Sequence, residues 1–203
     1  MTARDDVLAR VRAALQDVPR DEDAFAADYH PPTAPPGDPV RLFVDRVSDY
    51  RATVREAGEV AVAVERVCAE HDAWRLGIPP GLPPAWRPDG VELVADDGLG
   101  ARELDALDGA LTGCALAIAE TGTIILDGGQ RSGRRALTLV PDLHLCVVER
   151  AQVVATVPDA IRALDGARGP FTFVSGPSAT SDIELDRVEG VHGPRRLEVL
   201  LTG

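Results

Sequence analysis

Apolar positions in this chain recur first at helical spacing and then in short runs divided by turn residues, and these patterns define its elements. Val7, Leu8, Val11, Ala14 and Leu15 share one face of a helix predicted over residues 4–17, with Pro19 soon after it. Asp38 followed by Pro39 is an N-cap and first-turn pair; the helix it opens carries Phe43, Val47, Tyr50 and Val54 and ends at Gly58. Glu59 to Val64 alternates as a short strand would, with a helix after it, although Val60 to His71 reads equally as one helix. Leu76-Gly77-Ile78 and Val91 to Val94 read as buried strands around a proline-rich loop that carries Trp86. Leu104 to Leu111 reads as a helix closed by Gly113. Cys114 to Ala119 and Thr123 to Leu126 read as two strands around the turn Glu120-Thr121-Gly122. His144 to Glu149 is a strongly apolar strand, and Val157 to Leu164 is a helix with Pro158 in its first turn. Phe171 to Val174 and Leu197 to Leu201 are apolar runs on either side of a stretch rich in glycine and hydroxyl residues, Ser175 to Pro194. Strands alternating with helices predict an α/β fold: a mostly parallel sheet flanked by helices.

Residues 19–39 are acidic and proline-rich, which makes 1–39 an N-terminal helical arm with an extended linker and 40–203 the α/β domain. The arm is expected to pack on the core or on another subunit. A chain of 203 residues suffices for one good core. No apolar run approaches the roughly 18 residues of a membrane span. The first residues contain no apolar signal-peptide core, so the cytoplasm is the expected location.

Charge narrows the partners. A net charge of −12 argues against nucleic acid and against an anionic membrane surface. All 21 basic residues are arginine, and lysine and asparagine are absent. Schiff-base lysines, the P-loop lysine and N-glycosylation are thereby excluded. Cys68, Cys114 and Cys146 stand far apart with no C-x-x-C spacing, so neither a zinc site nor an iron–sulfur cluster is expected on this chain.

Four constellations could carry chemistry. In Ser175 to Pro194, Ser181-x-x-Glu184 fits a capping box for a short helix, and Ser178 and Thr180 precede it. The same helix start would hold a phosphate or carboxylate, although Asp182 and Glu184 oppose an anion. Asp182 suits a ligand hydroxyl or amine instead. In Ala119-Glu120-Thr121-Gly122-Thr123, a carboxylate at a strand end could serve as nucleophile or general base, or simply face water. The loop Gly128 to Arg135 carries three arginines suited to a carboxylate, a phosphate or an acidic surface. His192 lies in a glycine turn without a second metal ligand, and His144 reads as structural.

Three segments together resemble one family: A-L-T-G-C-A-L-A-I-A-E-T-G-T-I-I-L-D-G-G (110–129), L-V-P-D-L-H-L-C-V-V-E (139–149), and S-G-P-S-A-T-S-D-I-E followed by G-V-H-G-P-R. The chain resembles the LUD-domain family, within it the lactate utilization protein C type. The resemblance implies the fold of the NagB/RpiA/CoA-transferase-like superfamily, which includes 5-formyltetrahydrofolate cyclo-ligase. It implies a component of an iron–sulfur system that oxidises L-lactate to pyruvate, accessory to subunits that carry the clusters, with no cofactor on this chain. The alternative is a stand-alone small-molecule enzyme of that superfamily using Glu120. Its ligand would be a small carboxylate, CoA or a nucleotide. The ligand-binding candidates are Glu120, Thr121, Gly122, Thr123, Ser175, Gly176, Ser178, Thr180, Asp182 and His192. Ser175 to Pro194 would form the pocket floor and Glu120-Thr121-Gly122 the opposite wall. The chain departs from the family at Ala179, where a basic residue is frequent, and at Ser181, where a small residue is, and no catalytic residue carries over.

Overall fold

The structure is a computed structural model and describes residues 2–17, 35, 37–167, 169–180, 188–189 and 193–203. The chain divides into two units, Met1–Pro32 and Thr33–Gly203. In the first, α1 (Ala3–Ala14) starts at a capping box: Thr2 accepts from the Asp5 N–H, and the Asp5 carboxylate accepts from the Thr2 N–H at 2.9 Å.

The second unit follows the order α2 (Pro39–Asp49), β1 (Thr53–Glu56), α3 (Val60–His71), β2 (Arg75–Ile78), β3 (Glu92–Ala95), α4 (Ala101–Asp105), β4 (Gly109–Gly113), β5 (Leu116–Ile118), β6 (Thr123–Leu126), β7 (Leu143–Glu149), β8 (Val153–Val154), α5 (Val157–Ala163), β9 (Thr172–Val174), β10 (Ala179–Thr180), β11 (Val188–Glu189) and β12 (Arg196–Thr202). Asp38 caps α2 by accepting from the Val40 N–H at 3.0 Å, as its pairing with Pro39 predicts.

Three assignments differ from the periodicity. The helix from Pro39 stops at Asp49, because Arg51 takes a positive φ of 67° and Val54 leaves to pair with Val199 of β12. Glu59 is the N-cap of α3, and the strand lies before it. Leu104 to Leu111 is not one helix: α4 ends at Asp105, and Gly109-Ala110-Leu111-Thr112-Gly113 is a wholly buried strand. A Cβ on Gly109 would lie 2.9 Å from the Leu143 carbonyl oxygen, so β4 runs closer to β7 than a side chain permits. The helix expected after Ser181 lies outside the described residues.

Six strands form one parallel sheet in the order β1-β12-β7-β4-β2-β3. Alternation in its central strands builds two cores. Leu143, Leu145 and Val147 of β7, with Leu200 of β12, pack against α3. Cys146 and Val148, with Leu197, Val199 and Leu201, face the other way onto Phe43 and Val47 of α2. Each such aliphatic side chain contributes about 1.5–3 kcal/mol when fully buried. The second core also takes in Ala117, Ile124 and Leu126 from a four-stranded sheet, β8-β5-β6-β9, whose β5–β6 and β6–β9 pairs are antiparallel. That smaller sheet covers one face of the parallel sheet and positions the site.

Candidate functional site

The turn after β9 is shaped by two glycines. Gly176 has φ +93°, and a Cβ there would stand 2.5 Å from the Tyr50 Cβ, so the turn presses directly on the end of α2. The Ser178 N–H donates to the Pro194 carbonyl at 2.8 Å, tying this turn to the glycine turn before β12. Gly122 is built alike: at φ +59° its Cβ would lie 2.6 Å from the Val47 nitrogen. Both predicted turns therefore close against α2.

Their hydroxyls meet. Thr121 Oγ1 lies 2.8 Å from Thr123 Oγ1, which lies 2.8 Å from Ser175 Oγ. The β6–β9 register produces this contact, since Ile124 faces Val174 and the next pair outward is Thr123 with Ser175. Each hydroxyl can donate one proton and accept another, so the three form a chain whose last proton can point away from Thr121.

Ser175 lines a cavity of about 220 Å³ between β7, β12 and β9. Gly176, Ser178, Gly193 and Pro194 also line it. The rest of the wall includes Arg135, Thr138 and His144, with Val174 and Leu197 among the apolar lining. Glu120 and Gly122 do not line this cavity, and Thr121 and Thr123 reach it through Ser175 alone. The Glu120 carboxylate accepts from the Val157 N–H at 2.7 Å, at the first residue of α5. There it satisfies a free helix-start donor and meets the positive end of the helix dipole. Thr180 lies in β10, while Asp182 and His192 lie outside the described residues.

His144 is 2% exposed and hydrogen-bonds through Nε2 to Thr112 Oγ1 at 2.8 Å. Burial, aided by the charge of Arg135, pushes its pKa down to about 4, so the ring is neutral at pH 7. Arg135 donates from Nη1 to the Thr138 carbonyl at 3.0 Å and to Thr138 Oγ1 at 3.2 Å. Partial loss of water lowers its pKa from the ordinary arginine value. Sequence reasoning singles out the arginine loop but not this member of it, and it takes His144 as structural. A polar residue within an otherwise continuously apolar strand is the available signal for His144.

Among the described residues, no cluster of three or more His, Cys, Asp or Glu side chains is placed to hold a metal ion. The cysteines suit ligation poorly. Cys68 is buried in the α3 core, where burial pushes its thiol up to about 11, and Cys114 is raised well above its ordinary value by its contact with Cys146 and by burial.

The comparisons agree on one family. The LUD domain matches residues 94–202. The lactate utilization protein C of Deinococcus radiodurans is 48% identical over 167 residues, 79% of this chain and 78% of that protein. Lactate utilization protein C 1 of Bacillus mycoides is 31% identical over 133 residues, 60% of this chain and 56% of that protein. The crystal structure of a DUF162 family protein from Deinococcus radiodurans superposes with a TM-score of 0.70 at 38% identity, over 81% of this chain and 96% of that one. The chain belongs to the LUD-domain family.

Proposed function

We propose that this chain serves lactate utilization, as a cytoplasmic accessory subunit of an iron–sulfur system that oxidises L-lactate to pyruvate. The observation that carries the reading is 48% identity, over 79% of the chain, to a protein named lactate utilization protein C. The donor set supports an accessory role. An all-thiolate cubane or two-iron cluster takes four cysteines, whereas this chain has three, all buried, with Cys68 in a different core from Cys114 and Cys146. These cysteines do not fit an all-thiolate cluster, which supports a reading in which partner subunits carry the redox centres. No helix among the described residues is long and apolar enough to cross a membrane.

The alternative, an enzyme with Glu120 as nucleophile or base, has no observation in its favour while that carboxylate serves the start of α5. Gene deletion tests the main reading. Growth on L-lactate should stop while growth on pyruvate continues, and the tagged protein should co-purify with a cluster-bearing partner. Undiminished growth on L-lactate in a strain with no second copy would sink it.

A further inference from the structure

Three arginines leave the same glycine loop and meet different partners. Arg131 pairs with Glu149 at 2.8 Å and lies 4.5 Å over the Trp86 ring. Arg134 grips Asp96 with two nitrogens, at 2.7 and 2.6 Å. Arg135 pairs with no carboxylate among the described residues. Thr138 holds it by Nη1, which places the guanidinium on the cavity wall, and Nε and Nη2 make no hydrogen bond to a described residue. Arg135 is exposed to solvent, lies on the cavity wall and has no counter-ion among the described residues, so an anion entering the cavity would find its charge partner there.

We propose that the cavity is a binding site for a small monocarboxylate anion, paired with Arg135 and held by Ser175 and His144 as neutral donors. The cavity's own lining carries this ligand class, whether or not the chain serves lactate utilization. The carboxylate would orient the hydroxyl chain, Thr121 donating to Thr123, Thr123 to Ser175, and Ser175 into the cavity. It would also select a tautomer. His144 engages Thr112 through Nε2 and makes no hydrogen bond through Nδ1 to a described residue. With the Thr112 hydroxyl donating to Nε2, the ring proton sits on Nδ1 and can face the ligand.

Size and charge narrow the class. About 220 Å³ falls below the roughly 300–1,000 Å³ of pockets that take drug-sized ligands, which fits a metabolite of a few carbons. Val174 and Leu197 offer an apolar surface for its short tail. One guanidinium with neutral donors matches a single negative charge better than a phosphate dianion.

The full-length chain titrated with acetate, L-lactate and pyruvate tests the site, with lactamide as the neutral isostere and inorganic phosphate as the other anion class. Thermal shift and the imidazole nitrogen signals of His144 are the readouts. We expect saturable binding of the carboxylates, at least tenfold weaker binding of lactamide, and a protonated Nδ1 on His144 in the bound state. Arg135→Gln should weaken lactate at least tenfold, and Ser175→Ala several-fold. Equal affinity for lactamide and lactate, saturation by phosphate alone, or full affinity in Arg135→Gln overturns the proposal. Should Arg135→Gln misfold, unchanged lactate affinity in Ser175→Ala overturns it alone.

Discussion

Acid sensitivity should trace largely to His144. The ring is buried beside Thr112, itself fully buried, at the wall of the cavity, and the charged group acting on it is Arg135. Its pKa is about 4 in the fold against 6.5 unperturbed, so the unfolded chain binds a proton that the folded chain refuses. Stability is therefore complete above about pH 6.5, erodes as the pH falls toward about 4, and levels off below that. The whole gap is worth about 3 kcal/mol, of which about 2 kcal/mol falls between pH 7.5 and 5.0. Urea unfolding of the wild type and of His144→Gln at these two pH values isolates the effect. The variant starts from a lower stability because it packs less well, but its pH dependence should be shallower by about 2 kcal/mol over this interval. Carboxylates that titrate in the same range act on both proteins and cancel. Parallel pH dependences, or a His144 pKa near 6.5 by NMR, would refute the reasoning.

Three further outcomes follow from particular contacts. Glu120→Ala removes the acceptor from the first N–H of α5 and should cost about 1 kcal/mol in urea unfolding; loss of lactate-dependent growth with the fold intact would instead restore Glu120 as a reacting group. Gly176→Ala forces a side chain onto φ +93° and against Tyr50, and should lower the melting temperature by roughly 4–8 °C for about 2 kcal/mol. Arg134→Ala strips the partner from the buried carboxylate of Asp96, costing about 2 kcal/mol near neutral pH. Burial raises the pKa of Asp96, but the bond and charge of Arg134 outweigh it and hold it below the ordinary value. The penalty should therefore shrink as the pH falls through the range where Asp96 protonates, which melts at pH 7 and pH 3 would show.

What the sequence made legible was local. Asp38-Pro39, Pro158, and the glycines of the Glu120-Thr121-Gly122 and Ser175-Gly176 turns declare their conformations through φ preference and capping, and the structure keeps them. Gly109 to Gly113 did not, because a strand buried on both faces loses the alternation that separates it from a helix. Val54 failed differently: its strand exists only because β12, far along the chain, supplies the partner. The site mixes both cases. Ser175, Gly176 and Ser178 were visible as turn chemistry, whereas Arg135 could not be told from Arg131 and Arg134 until Glu149 and Asp96 claimed those two. The cavity's position was hidden for a topological reason. Ligands of open parallel sheets are expected beyond the carboxyl ends of the strands, yet His144 and Leu197 are each the second residue of their strand. The antiparallel hairpin β5–β6, extended by β9, lies over that face and carries Ser175 to the amino ends of β7 and β12. The pocket thus arises where two sheets meet, and only the pairing of β6 with β9 reveals it.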